Sequence, residues 1–132
     1  AMLEIDAFFM NEDRHTNNIA VIYNEKTQKY ERSPFFDQGL CMFADINQDY
    51  PIDQSLEYCL EKIEAKPFSS DFDIQLDAAE ELYGIQIGFQ FTFKDIQIYL
   101  QKNSENYPRE VIRRVEQLLR RQMRKYGYLM KK

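Results

Sequence analysis

Hydrophobic positions follow helical spacing over most of the chain, and capping signals mark where the helical stretches begin. Together they predict a mainly helical fold, because apolar side chains three or four residues apart share one face of a helix. The predicted helices are Leu3–Met10, Asp53–Ala65, a segment capped by Ser69 or Ser70 that ends near Tyr83 before Gly84, a segment from the Thr92-x-x-Asp95 capping box to about Gln101, and a long final helix opened by Pro108.

Two regions have the pattern of extended structure. The apolar run Ile19–Tyr23 and the segment Lys29–Phe36 flank a polar turn, which predicts a β-hairpin. Apolar and polar side chains also alternate from Ile85 to Phe93, which is strand spacing. The sequence therefore predicts one mainly α domain of the α+β class over residues 1–132, with a hairpin near its start.

Composition agrees with a single folded domain. With 44% hydrophobic and 30% charged residues, the chain of 132 residues is apolar enough for one core. No apolar run approaches the ~20 residues of a membrane span, and no leader pattern opens the chain. A cytoplasmic protein with reduced Cys41 and Cys59 is expected. Ala1 resembles a tag remnant, which suggests Met2 as the natural start.

The charge of −5 is unevenly distributed. Residues 109–132 hold nine Lys or Arg against two Glu, a net charge of +7, whereas residues 1–108 carry −12. The acidic body argues against a broad nucleic-acid surface, so only the final helix offers a basic face to an acidic partner or nucleic acid. A solvated face neutralised by the acidic body is the favoured interpretation. That face comprises Arg113, Arg114, Arg120, Arg121, Arg124 and Lys125.

Three polar residues near the start of the chain carry the candidate chemistry. Asp13 is followed five residues later by Asn18, and Asp37 lies beyond the predicted hairpin, within Asp-x-Gly. Kinase-type phosphoryl transfer needs such a set: one Asp orients the attacking hydroxyl and accepts its proton, while an Asn and a second Asp hold magnesium. Because a hairpin returns to its starting point, Asp37 is expected beside Asn18, with Gly39 allowing a sharp turn.

Each of these signals also has a simpler interpretation. Asp and Asn in a short loop often serve only as caps and turns. The lone His15 makes no zinc site, since zinc needs three or four convergent ligands. The run Asp45-x-Asn47-x-Asp49 copies the start of an EF-hand loop, but Tyr50 and Leu56 stand where glycine and glutamate are required, so calcium binding is not expected.

The motif Asp-Arg-His-x-x-Asn followed by Asp-x-Gly resembles the catalytic and metal-binding loops of phosphatidylinositol kinases, and of the HipA-like serine/threonine kinases of bacterial toxin–antitoxin systems. Residues 3–40 are closer to the HipA-like group. The resemblance implies a kinase-like C-terminal lobe that uses Mg²⁺ and ATP. It implies that Asp13 is the catalytic base, that His15 lies beside the γ-phosphate, and that Asn18 and Asp37 bind magnesium; Arg14 and Asn17 are candidates for phosphate contact.

The chain departs from that family because it has no Gly-rich loop and no Lys before Asp13, so a kinase of this type is expected to take its amino-terminal lobe from another chain. The alternative is a non-catalytic kinase-like binding module that keeps the fold, or an interaction protein related to toxin–antitoxin systems. In both cases a face near Leu3–Met10, Phe35, Phe36 and Leu40 is expected to be exposed, and to bind a partner or a second copy.

Overall fold

The computed structural model describes residues 1–131, which form five α-helices and one two-stranded sheet. The strands β1 (Val21–Asn24) and β2 (Lys29–Arg32) pair antiparallel, with Val21 opposite Arg32. The prediction of a mainly helical α+β fold with a hairpin near its start is confirmed. The helices are α1 (Met2–Phe9), α2 (Leu56–Lys62), α3 (Phe72–Tyr83), α4 (Phe93–Lys102) and α5 (Arg109–Lys125). Within the described part of the chain, no helix has the length and apolarity needed to cross a bilayer.

The helix starts follow local capping chemistry. The predicted capping box is present: Thr92 accepts a hydrogen bond from the Asp95 N–H, and the Asp95 carboxylate accepts one from the Thr92 N–H. The prediction that Ser69 or Ser70 caps α3 is wrong, because Asp71 occupies that position. Its carboxylate accepts two backbone hydrogen bonds and also favours the positive end of the helix dipole.

The segment from Ile85 to Phe93 does not form the predicted strand. Its one bridge within residues 1–131 joins Phe89 to Met130. Alternation is present because Phe89 and Phe91 pack against Phe8, with ring centroids 4.5 and 5.8 Å from it. The alternating apolar spacing thus reflects the packing of these side chains onto α1. A β-ladder would need a neighbouring strand that pairs with this segment over more than the single bridge.

The core joins α1 to the middle of α5. Phe8 and Leu118 are fully buried. Beside them the buried Gln122 side chain donates to the carbonyls of Ala7 and Phe8 at 2.9 and 3.0 Å. These carbonyls belong to the last turn of α1, where backbone acceptors lack helical partners. Helix α5 therefore fixes the end of α1, from which the Asp13 loop departs.

Arg114 is part of this interior and does not belong to the predicted basic face. It is 6% exposed, and its guanidinium donates to the carbonyls of Phe43, Tyr50 and Pro51 at 2.9–3.2 Å. The loop of residues 43–51 has few backbone partners of its own, so these buried carbonyls require a donor. Arg114 thereby attaches that loop to α5.

Candidate functional site

The loop that carries Asp13 is held at its start by buried polar side chains. Helix α1 ends at Met10, whose φ of 53° reverses the chain. Asn11 follows, almost fully buried, and its amide donates to Asp6 of α1 at 3.0 Å. The Asn11 side-chain oxygen accepts the Asp13 N–H at 3.1 Å. The position of Asp13 is thus set by an interaction that begins inside α1.

Arg14 is buried, and its donors are used inside the protein. Its Nε and Nη2 donate to the two carboxylate oxygens of Asp6 at 2.8 and 3.0 Å, and Nη1 donates to the carbonyls of Asn18 and Phe36, both at 3.1 Å. Hydrogen bonding to Asp6 raises the Arg14 pKa, so the guanidinium stays charged. The prediction that Arg14 contacts phosphate is therefore replaced by a structural role, because the side chain is 0% exposed.

The same guanidinium brings the two halves of the motif together. Asn18 closes the Asp13 loop and Phe36 immediately precedes Asp37, so their shared donor places both ends of the hairpin side by side. The Ser33 N–H donates to the Ala20 carbonyl at 3.3 Å, which continues the pairing beyond the strands. The expected return of the hairpin to its starting point is confirmed. Joint metal binding by Asn18 and Asp37 stays a prediction.

Asn18 organises the loop from within. Its side chain is 94% buried, and its Nδ2 donates to the Asp13 carbonyl at 2.7 Å. The same Nδ2 lies 3.2 Å from the His15 Nε2, which is also 3.6 Å from an Asp13 carboxylate oxygen. Among residues 1–131 no donor contacts the Asn18 Oδ1, so the atom that would bind a metal remains uncommitted. Asn17 is exposed, and its phosphate contact stays a prediction.

The turn at Asp37 has left-handed backbone at the aspartate itself. Asp37 is exposed and has a φ of 54°, and Met42 and Phe43 have φ values of 53° and 60°. Left-handed backbone is unfavourable for Met and Phe and better tolerated by Asp, and such residues are concentrated at functional sites. The prediction that Gly39 provides the turn is wrong, because the left-handed residues are Asp37, Met42 and Phe43.

We expect Gly39→Ala to be tolerated and Gly84→Ala to be destabilising. A Cβ at Gly39 would meet no described atom within 4 Å, whereas Gly84 has a φ of 70° at the end of α3. The first change should stabilise the protein by at most about 1 kcal/mol, and the second should cost about 1 kcal/mol. Urea unfolding measures both. A larger loss for Gly39→Ala than for Gly84→Ala would contradict this assignment.

The segment after Asp37 is attached to the Asp13 loop at several points. The Met42 N–H donates to the Phe9 carbonyl at 2.9 Å, and the Glu12 N–H donates to the Leu40 carbonyl at 3.2 Å. The Tyr50 hydroxyl donates to the Glu12 carboxylate. Burial raises the Glu12 pKa above its ordinary value. Sequence reasoning missed Glu12, Asp6 and Asn11; the available signal was a charged Asp6 in a mostly apolar helical stretch whose other charged residue is Glu4.

The donor set fits magnesium better than zinc. Within residues 1–131 no three His, Cys, Asp or Glu side chains are grouped as a metal site, and this includes the loop of residues 45–49. Mg²⁺ commonly binds one or two protein oxygens and fills its shell with water and phosphate oxygens. The amide oxygen of Asn18 and the carboxylate of Asp37 are oxygen ligands of this type, and their joint binding of a metal stays a prediction. Cys41 takes no part as a reactive thiol, because burial raises its pKa to about 11.

An apolar groove of about 560 Å³ lies beside Asn18. Its walls come from the start of α1, both ends of the hairpin and the end of α3. Phe35, Phe36 and Leu40 are 38–40% exposed, as expected for the predicted interaction face. The inclusion of Leu3–Met10 in that face is wrong for most of the helix, because α1 packs against α3 and α5.

No protein-family model matches the chain, and neither the curated proteins nor the solved structures contain a significant match to it. The resemblance described above therefore depends on the motif residues themselves.

Proposed function

We propose that the chain is the C-terminal lobe of a HipA-like serine/threonine kinase. It would transfer a phosphoryl group from Mg²⁺–ATP to a protein hydroxyl, with the nucleotide-covering lobe supplied from outside these 132 residues. The observation that carries the proposal is the Arg14 guanidinium, which binds the carbonyls of both Asn18 and Phe36 and so places the two halves of the motif side by side.

The roles follow from the local contacts. The Asp13 backbone is fixed at both ends, because Asn11 accepts its N–H and Asn18 donates to its carbonyl, and its half-buried carboxylate lies beside His15. In the proposal this carboxylate orients the substrate hydroxyl and accepts its proton. The Asn18 Oδ1 and the Asp37 carboxylate hold Mg²⁺, which neutralises the phosphates. His15 lies beside the transferring group.

Rigid positioning supports this reading, since phosphoryl transfer depends on placement and electrostatics more than on covalent chemistry. The buried pair of Asp6 and Arg14 supplies that placement through hydrogen bonds of 2.8–3.1 Å. The missing Gly-rich loop and lysine are the parts that another lobe would add. Without them the isolated chain is expected to bind ATP weakly or not at all.

A non-catalytic binding module is the second candidate, and the exposed hairpin favours it. Within residues 1–131 neither β1 nor β2 packs against a helix, and Val21 and Tyr30 are 64% and 74% exposed. An isolated two-stranded hairpin is marginal in water, so an apolar partner is expected to cover it. Sedimentation at micromolar concentration separates the two candidates. Self-association that is lost in Val21→Glu supports the binding module, because the second copy would occlude the groove beside Asn18.

Mn²⁺, a paramagnetic substitute for Mg²⁺, tests the proposed metal site directly. We expect it to broaden the amide NMR signals of residues 13–18 and 36–39, because Asn18 and Asp37 are the proposed ligands. Asp37→Asn should remove most of that broadening, since a carboxylate is the stronger ligand for a hard cation. Asp45→Asn, in the loop that resembles an EF-hand, is the matched control and should leave the broadening unchanged.

Broadening confined to residues 45–49, or unchanged in Asp37→Asn, would contradict the proposed site.

Autophosphorylation of the isolated chain with Mg²⁺–ATP is a separate measurement, and none is expected. Turnover by the chain alone that is lost in Asp13→Ala would support the catalytic residues and contradict the need for a covering lobe.

A further inference from the structure

A row of four arginines runs along the solvent-exposed face of α5. Arg109, Arg113, Arg120 and Arg124 are all exposed, and their spacing of four, seven and four residues keeps them on one side of the helix. At 1.5 Å per residue the row is about 22 Å long. Glu116 and Gln117 lie between its halves, so one carboxylate interrupts an otherwise basic and amide row.

Among residues 1–131 the acidic body neutralises part of the basic face predicted from sequence, but its ion pairs do not extend to this row. Lys125, which lies outside the row, pairs with Asp73 of α3 at 2.6 Å. Arg120 pairs with Glu116 of the same helix at 3.5 Å. Among the residues that the structure describes, no carboxylate lies within 4.0 Å of a guanidinium nitrogen of Arg109, Arg113 or Arg124.

The helix accommodates like charges at close spacing. Arg109 and Arg113 are four residues apart, as are Arg120 and Arg124, and such pairs repel each other on a helix surface. A shallow depression beside the second pair is lined by Gln117, Arg120, Arg121, Arg124 and Lys125, a set without a carboxylate. Concentrated positive charge of this kind raises the local concentration of an anionic partner.

We propose that this row binds the phosphate backbone of a nucleic acid without sequence preference. Guanidinium groups bind phosphate oxygens in pairs of parallel hydrogen bonds, and all four members of the row are arginine. Duplex DNA carries one charge per ~1.7 Å of axis, so a 22 Å row spans about thirteen phosphate charges. Arg120 is already oriented by stacking, with its guanidinium carbon 4.2 Å from the centre of the Phe93 ring.

The alternative partner, an acidic protein surface, fits the row less well. Stable protein interfaces have an apolar core, whereas the exposed side chains between Arg109 and Arg124 are all charged or amide, and the partly buried Ile112 is too small a contribution to form such a core. The charge of −12 on residues 1–108 also repels a polyanion from the rest of the molecule. The contact is therefore confined to α5, weak, and strongly dependent on salt.

Fluorescence anisotropy with a labelled DNA duplex of about 20 base pairs tests the proposal on the full chain. Four phosphate contacts give a slope of log K against log salt of about −3.6, so binding should weaken about 100-fold from 50 to 200 mM salt. In R113Q/R124Q the slope should become shallower by about 2, and affinity at 50 mM salt should fall at least ~10-fold.

K29Q/R32Q is the matched control, because it removes two exposed cations from the hairpin and changes the net charge equally. It should retain most of the binding. Three results would overturn the proposal: no binding at 50 mM salt with 100 µM protein, equal weakening in the two double variants, or displacement of the duplex by poly-L-glutamate at a lower charge concentration than by unlabelled DNA. The last result would assign the row to acidic proteins.

Discussion

Asp6→Asn should lower the free energy of unfolding by about 3 kcal/mol or more. The Arg14 guanidinium is 0% exposed and donates to both Asp6 oxygens, so the variant would leave a buried cation without its carboxylate. Removing one partner of a buried ion pair typically costs 3–5 kcal/mol. The asparagine keeps the size of the side chain, so the loss is electrostatic. Urea unfolding followed by circular dichroism measures the change.

Asp53→Asn provides the matched control, since Asp53 is exposed and the same chemical change there should cost less than about 0.5 kcal/mol. A second measurement separates the effect of the variant on stability from its effect on the geometry of the candidate site. Because Arg14 holds the Asn18 and Phe36 carbonyls together, the Mn²⁺ broadening at both segments should weaken together in folded Asp6→Asn protein. A cost below about 1 kcal/mol would contradict the assigned role of this pair.

The features predicted correctly from sequence are those determined within a few neighbouring residues. The capping box of Thr92 and Asp95 uses only the start of α4, and the hairpin follows from one apolar run, one polar turn and the segment that returns after it. Gly84 ends α3 at a φ of 70°, which its lack of a Cβ permits. In each case the residues that cause the structure are the same neighbouring residues that form the sequence pattern.

The errors arise where distant residues decide the outcome. Strand spacing near Phe89 was real, but pairing depends on whether another strand lies alongside, which local alternation does not encode. Asp37, with its φ of 54°, is held by the attachments of residues 40–42 to the end of α1. Glycine propensity pointed to Gly39 instead.

Charged residues show most clearly the difference between features set by neighbouring residues and features set by distant ones. Arg14 and Arg114 both look like surface cations by type, since arginine is seldom fully buried without partners. Arg14 donates to Asp6, which lies eight residues earlier, and Arg114 donates to carbonyls that are more than sixty residues away in the sequence. The candidate site was therefore located by its motif, while the groups that hold it in place became visible only in three dimensions.

Arg114→Met should destabilise the protein by about 3 kcal/mol, whereas Arg113→Met should change its stability by less than about 0.5 kcal/mol. Methionine has similar helix propensity and an unbranched side chain, so helix formation and packing change little. At position 114 the variant leaves the buried carbonyls of Phe43 and Tyr50 without their donor, and each unsatisfied acceptor costs about 1–3 kcal/mol. Arg113, one residue earlier, is exposed.

The effect of Arg114→Met should also reach the candidate site. The Tyr50 carbonyl is bound by Arg114 and the Tyr50 hydroxyl donates to Glu12, which directly precedes Asp13. Releasing the carbonyl should let residues 43–51 open locally, which hydrogen exchange detects as faster exchange of the Tyr50 N–H and of neighbouring amides. Arg113→Met removes the same charge and should leave these rates unchanged. Equal stability losses in the two variants, with no change in exchange near Tyr50, would show that Arg114 does not hold this loop and that Asp13 depends on the Asp6 and Asn11 contacts alone.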